Sequence, residues 1–366
     1  MQLLTSLIAW FRHKLDLLLH SGFPIFFWVR PRWSVDEITD QTGKVVLVTG
    51  GNSGTGYATS LALYNAGAKV YLACRNEKKA REAMAEIEKG GQRTLTGFIY
   101  PKSKNTTKKG QLEFIKLDLT DLESVERCVD EFLKKEDKLD TLFCNAGIMA
   151  TPEGQYTKQG YTLQFGTNVL GHQRLTSLLL PLLLKSPPTE PSRVIFTSSA
   201  GHAAAPSGGV DFRSVVRDRS EPEPREGQPP RRGKYERTKW VEYGQAKWGD
   251  VALARYLHNE YGRQGRLISV ALHPGMVATN LAGHFALTPY IIKFAPWLGR
   301  LITRSPAIGA SNQIWVATIP DHAARWLSGE YIVPFQRIGR PRPDVEDNVR
   351  CEQVWQWCEE QGKKRA

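Results

Sequence analysis

The sequence predicts a doubly wound α/β domain, a mostly parallel sheet of about seven strands between two layers of helices. Three observations predict it. From Gly43 onward, short Val/Ile/Leu-rich runs alternate with longer amphipathic runs; the short runs are apolar at nearly every position; and a glycine-rich turn follows the first of them. Continuous apolar strands are buried on both faces, so helices must cover the sheet above and below. Alternation of strand and helix makes neighbouring strands parallel, in one domain rather than two.

The elements follow in order. Lys44–Val48 is the first strand, and a helix runs from the glycine turn to about Ala66. Val70–Cys74 is the second strand, followed by a charged helix over Lys78–Lys89. Glu113–Leu117 and a helix over Leu122–Lys134 form the next unit, and Thr141–Cys144 with a long helix near Asn168–Leu184 forms the fourth. Arg193–Thr197, a helix over Tyr243–Tyr261 and the strand Leu267–Leu272 complete the pattern. Residues 93–110 and 213–235 interrupt it. They are polar, basic and rich in Pro, Gly or Ser, and read as surface loops inserted into a domain spanning 41–366.

The formal net charge of +12 over 366 residues sits largely in such segments: Lys102, Lys104, Lys108 and Lys109, the stretch from Arg217 to Arg232, and Lys363-Lys364-Arg365. No element carries base-contacting or stacking residues beside these charges, so no nucleic-acid partner is expected. The five cysteines are scattered, with no CxxC and no histidine cluster at ligand spacing. Neither a disulfide framework nor a metal site is expected. Buried, reduced thiols at Cys74 and Cys144 fit a cytosol-facing environment.

Residues 1–40 differ in character. MQLLTSLIAWF and LLLHSGFPIFFWV are apolar, with Arg12, His13, Lys14 and Asp16 between them. Neither run reaches the roughly 20 apolar residues that span a bilayer. Trp10, Phe26, Phe27 and Trp28 at headgroup depth suit a membrane-surface anchor, on the endoplasmic reticulum or a lipid droplet. The competing reading is a helix packed on the domain or on a second copy of the chain. The closing KKRA is similar to a dilysine retrieval signal.

The chemistry-bearing residues fall into an ordered series. Thr49-Gly50-Gly51-Asn52-Ser53-Gly54-Thr55-Gly56 follows a strand and opens a helix. Glycines there let backbone approach a pyrophosphate, which the helix N-terminus attracts. Tyr243-Gly-Gln-Ala-Lys247 sets a phenol and an ammonium one helical turn apart. An isolated tyrosine has a pKa near about 10, and a nearby cation favours its ionised form. Tyr235-Glu-Arg-Thr-Lys239 repeats the spacing, so the pair alone does not choose itself. Trp248, Val251, Ala252, Leu253 and Leu257 give the second pair an apolar helical stripe, whereas Tyr235 lies in an Arg- and Pro-rich loop.

The TGxxxGxG spacing resembles that of the short-chain dehydrogenase/reductase family, a single Rossmann domain, in its fungal and retinol-dehydrogenase-like branches. Further matches occur in family order: Asp118 with Leu119, Asn145-Ala146-Gly147, Asn168, Ser199, the YxxxK pair Tyr243/Lys247, and Pro274-Gly275 with Val277 and Thr279. Thr55 departs from the family's usual Ile or Leu. The resemblance implies a nicotinamide cofactor cradled by Gly50, Asn52, Ser53, Gly54, Thr55 and Gly56. Asp118, Leu119, Asn145, Ala146, Gly147, Pro274, Gly275, Val277 and Thr279 would complete its site. Ser199 would polarise a substrate carbonyl, Tyr243 donate the proton, Lys247 assist it and bind the nicotinamide ribose, and Asn168 hold a relay water. NAD-binding members carry an acidic residue at the end of the second strand. Cys74 and Arg75 stand there instead, and an arginine attracts the 2′-phosphate of NADP(H).

The expected activity is therefore NADP(H)-dependent interconversion of a carbonyl and a hydroxyl. The apolar stretch Phe285 to Ile302 covers the substrate in relatives and suggests a small lipophilic molecule, or alternatively packs as core or as a homodimer contact. Two other readings stay open: a catalytically silent NADP-binding scaffold, and a reductase of a soluble polyketide-type metabolite.

Overall fold

The computed structural model describes residues 32–90, 109–152, 154–217, 239–275, 277 and 305–364. Residues 1–31 of the N-terminal segment, nearly all of both inserted loops, Tyr235, Thr279 and the 285–302 stretch lie outside the described residues, while the segment's last residues belong to the domain, with Trp33 and Ile38 buried against Ala58, Ala62 and Ile314.

The apolar runs fold as one sheet. Its strands are β1 (Val45–Thr49), β2 (Lys69–Cys74), β3 (Gln111–Lys116), β4 (Thr141–Cys144), β5 (Ser192–Thr197), β6 (Leu267–Leu272), β7 (Tyr331–Val333) and β8 (Arg337–Gly339). They lie in the order β3-β2-β1-β4-β5-β6-β7-β8. Every pair from β3 to β7 is parallel, with Val46 opposite Val70 on one side of β1 and Thr141 on the other. The eighth strand exceeds the expected seven. After Val333 the chain reverses through Gln336, at φ 54°, and three residues pair back antiparallel. So short a strand leaves no pattern in the sequence.

Successive strand residues point to opposite faces, and each face meets its own helices. Val46, Val48 and Leu72 pack with α1 (Gly54–Asn65), α2 (Glu77–Glu88) and α6 (Pro306–Thr318). Leu47, Val194 and Phe196 pack with α3 (Leu122–Lys135), α4 (Gly171–Leu183), α5 (Lys239–Leu257) and α7 (Asn348–Lys363). Leu175, Leu179, Leu182 and Leu183 anchor α4 in that second core, each contributing about 2 kcal/mol of burial. β3 is one of the two edge strands, and only Ile115 of it is fully buried, so the expectation of burial on both faces fails there.

Two sequence boundaries move. Lys239, the first described residue of helix α5, is already helical rather than part of the loop, and its ammonium lies 5.7 Å from the Trp240 ring centroid. The inserted loop is also not surface at its start. Ser214 and Val215 are buried, Val215 O accepts the Thr162 N–H at 2.8 Å, and Val216 pairs with Tyr161.

The sheet reverses its order of growth between β1 and β4. Ligands of such sheets bind beyond the carboxyl ends of the strands at that point. The expected site residues lie around those ends.

Candidate active site

Beyond β1 the chain turns through Gly50, at φ 67°, and enters α1 at Gly54, at φ 54°. Ser53 occupies the N-cap position without a side-chain capping bond. That leaves the helix end suited to an anion. The glycines are required by close approach: a Cβ on Gly56 would stand 2.4 Å from Gly50 O and 2.6 Å from Asn145 Nδ2.

Neutral hydrogen bonds fix this turn. Thr49 Oγ1 accepts the N–H groups of Asn145 and Ala146, both at 2.9 Å. Asn145 Nδ2 donates to Thr49 O at 2.9 Å, and its Oδ1 accepts the Thr55 hydroxyl at 2.8 Å. The departure at Thr55 thus has a use, since Ile or Leu could not make that bond. Gln313 on α6 completes the set. Its Nε2 donates to Asn145 Oδ1 at 3.2 Å and to the Thr59 hydroxyl, and its Oε1 accepts from Thr197 at 3.0 Å. Sequence reading missed Gln313; a buried glutamine 168 residues from its partner carries no local signal.

At the end of β2, burial pushes the Cys74 thiol up to about 12, partly offset by the Asn52 and Gly51 amides beside it. No carboxylate stands there, and Arg75 is exposed. Asp118 Oδ1 accepts both the N–H and the hydroxyl of Thr120, at 3.0 and 2.7 Å, so this carboxylate shapes the turn after β3. Leu119 is buried against Gly171, whose Cβ would meet Leu119 O at 2.7 Å. Pro274 and Gly275 are half-buried, with Gly275 at φ 87° and its N–H donating to His273 Nδ1 at 3.0 Å. Val277 lies against Gly309 of α6 and near the Thr55 methyl.

Helix α5 presents Tyr243, Lys247 and Asp250 on one face, at i, i+4 and i+7. All three are buried. Lys247 Nζ donates to Thr197 O and to Asp250 Oδ2, each at 2.8 Å, and lies 5.8 Å from the Tyr243 ring centroid. Burial disfavours the ammonium, but the Asp250 carboxylate outweighs it and holds Lys247 above the ordinary lysine value. Asp250 itself is pushed up to about 6 by burial against the pull of Lys247.

Two glycines show what is gathered here. A Cβ on Gly201 would stand 2.8 Å from Tyr243 Cε1 and 3.3 Å from Ser199 Oγ, so the phenol ring and the serine hydroxyl flank one point. A Cβ on Gly147 would stand 3.4 Å from Asn168 Oδ1 and 3.6 Å from Lys247 Nζ. Ser199 Oγ accepts the Gly201 N–H at 3.0 Å. The Asn168 side chain clamps Ile148, accepting its N–H and donating to its carbonyl, both at 2.9 Å. Asn168 sits in a π-helical turn, Gly166–Leu170, that leads into α4. Such turns recur at functional sites.

Two buried histidines brace the surroundings. His172 Nδ1 bonds Asn168 O and its Nε2 bonds Thr49 Oγ1, both at 2.9 Å. His202 Nδ1 bonds Ser199 O at 2.7 Å, and its Nε2 accepts the Arg342 N–H at 3.1 Å. Burial pushes each imidazole down to about 4, so both are neutral Nδ1–H donors at pH 7. Arg342 also donates to Ala205 O and Pro206 O, and Asp344 accepts the Trp248 indole at 2.9 Å. The segment after β8 therefore clasps the loop after Ser199 onto α5, a device with no sequence signature.

The glycine turn, Asn145, Asn168, Ser199 and the Tyr243/Lys247 pair thus come together at the carboxyl ends of β1, β4 and β5. Arg75, Asp118 and Leu119 lie farther out, past β2 and β3. Residues 44–210 match the family model described as short chain dehydrogenase. A short-chain dehydrogenase/reductase of Armillaria gallica is 41% identical over 337 residues, covering 91% of this chain and 95% of that protein. The chain belongs to the short-chain dehydrogenase/reductase family. Mouse retinol dehydrogenase 14 is 32% identical, covering 79% of this chain and 77% of that protein, which agrees with the fungal and retinol-dehydrogenase-like branch. Among solved structures, a short chain dehydrogenase from Shigella flexneri complexed with NADP superposes with a TM-score of 0.56, covering 81% of this chain and 98% of that one at 23% identity. The protein is an oxidoreductase of this family with a single Rossmann-like sheet.

Proposed function

We propose that the protein is an NADP(H)-dependent oxidoreductase that interconverts a carbonyl and a hydroxyl on a small lipophilic molecule. The observation that carries this reading is the convergence of Ser199 Oγ and the Tyr243 ring on one point, with Lys247 behind the ring. The chain's donors suit the cofactor: an uncapped helix N-terminus for the pyrophosphate, and Arg75 without a carboxylate at the end of β2 for a 2′-phosphate. When bound, NADPH supplies the hydride. Ser199 donates a hydrogen bond to the carbonyl oxygen, where negative charge develops. Tyr243 gives that oxygen its proton, and the Lys247 ammonium stabilises the charge growing on the phenol oxygen. Two of the three Lys247 protons are held by Thr197 O and Asp250. The third remains for the nicotinamide ribose or for a relay water beside Asn168.

Met149 and Ala150 pack on Tyr243 and give the site an apolar wall. That wall, the apolar stretch 285–302 and the name of the mouse relative support a lipophilic alcohol, ketone or aldehyde. The N-terminal segment would place the enzyme at a cytosol-facing membrane surface; no helix among the described residues is long and apolar enough to cross a membrane. A screen of NADPH and NADH consumption against ketones, aldehydes and sterols tests the reading, with Arg75→Ala beside the parent. Consumption with lipophilic carbonyls is expected, with the NADPH preference lowered about tenfold by the substitution. Equal use of both cofactors by the parent would overturn the NADP assignment, and no consumption with any carbonyl would overturn the activity.

A further inference from the structure

The proton-transfer group holds a buried carboxylate that the proposed reaction does not use. Asp250 stands three residues after Lys247 on the same face of α5, and its side chain is 3% exposed. Asp250 Oδ2 accepts from Lys247 Nζ at 2.8 Å. Its other oxygen, Oδ1, is buried without a hydrogen-bond partner among the described residues. A carboxylate so placed is costly, because an ion withdrawn from water keeps its cost unless an opposite charge and hydrogen bonds compensate it. Holding α5 to β5 does not require it. Ser198 Oγ already donates to Lys247 O at 2.6 Å, and Trp248, Val251 and Leu253 pack into the core.

Resting on the reading of Tyr243 and Lys247 given above, we propose that Asp250 is a positioning residue that keeps the Lys247 ammonium charged and aimed at Tyr243. The groups facing this ammonium are few. On α5 they are Tyr243 and Asp250; from β4 the Cys144 thiol adds to its field, and from α4 His172 feels it. Burial alone would favour the neutral amine. Burial pushes the Cys144 thiol well up, and His172 is neutral, so neither supplies a counter-charge at pH 7. Among the described residues, Asp250 is the carboxylate that acts on Lys247. It also fixes one ammonium proton while Thr197 O fixes a second, which leaves the third for the site.

Asp250→Asn keeps an acceptor oxygen and a near-identical shape but removes the charge. The consequence concerns the coupled Lys247/Tyr243 pair: without a nearby negative charge the pair releases a proton at lower pH. Reduction needs the protonated pair, so its high-pH limb moves down.

The test uses the full chain without cofactor, labelled with [13Cε]lysine. The Lys247 signal is assigned by its loss in Lys247→Met. In the parent this signal keeps its ammonium shift to at least about pH 10, near the ordinary lysine value. In Asp250→Asn its midpoint falls by about one pH unit or more, whereas Asp250→Glu stays within a few tenths of the parent. A parent signal that titrates below about pH 9, or an Asp250→Asn midpoint equal to the parent's, overturns the proposal. The parent arm needs no variant, so a misfolded Asp250→Asn still leaves the proposal open to refutation. Where a carbonyl substrate is found, the high-pH limb of kcat/KM should shift down with the NMR midpoint, and an unshifted limb would contradict the positioning role. If no carbonyl is turned over, the proposed function fails while the lysine titration still decides Asp250.

Discussion

The two halves of the site are built by different physics. The glycine turn is held by neutral groups at close quarters: Gly56 against Gly50 O, Asn145 between Thr49 and Thr55, and Gln313 between Asn145, Thr59 and Thr197. The proton-transfer half is held by charge, with Lys247 and Asp250 buried together and two histidines kept neutral beside them. The contrast teaches where each half is vulnerable. The first fails when volume is added, since its backbone cannot give way. The second fails when charge is changed, and so it answers to pH.

The largest effect should come from volume at the turn. Gly56→Ala places a methyl on Gly50 O and Asn145 Nδ2. We expect a loss of about 3 kcal/mol in stability and of NADPH binding, read by thermal denaturation and cofactor fluorescence. The same change at Gly90, which has nothing within 4 Å of its Cβ position, should not touch cofactor binding.

Next comes acid. His172 and His202 have folded pKa values depressed to about 4 from 6.5, so their contribution is present above pH 6.5 and is lost as pH falls toward 4. Asp250 acts oppositely. Its folded value is raised to about 6 from 3.8, so it gains stability as pH falls through 6. The histidines win by number, and net stability should fall by about 2 kcal/mol between pH 7 and pH 5. His202→Gln should flatten that fall, as measured by urea denaturation at each pH; an unchanged slope would remove His202 from the account. The smallest effect is Thr55→Val, which deletes one hydrogen bond to Asn145 and should cost about 1 kcal/mol with turnover nearly unchanged.

The first half was the more legible from sequence. A glycine-rich turn after an apolar strand is a local pattern, and the structure places it at the end of β1 with little shift. The burial of the helix that carries Tyr243 and Lys247 was also legible, because the apolar stripe after Lys247 reports a packed face. What escaped was long-range. Gln313 reaches across 168 residues, and Arg342 meets His202 across 140. The three-residue strand β8 lacks a period, and the burial of Val215 depends on a partner strand segment at Tyr161. Asp250 was visible by its spacing from Lys247, yet a charge on a helix reads as solvated until its burial is known.

The most direct measurement of the central claim splits binding from chemistry at the charged half. Tyr243→Phe removes only the phenol oxygen, and the ring keeps its packing on Met149 and Ala150. NADPH should bind within about twofold of the parent while carbonyl reduction falls by about a thousandfold or more. Turnover retained within tenfold of the parent would show that Tyr243 is not the proton donor, and the assignment of this face of α5 to proton transfer would fall with it.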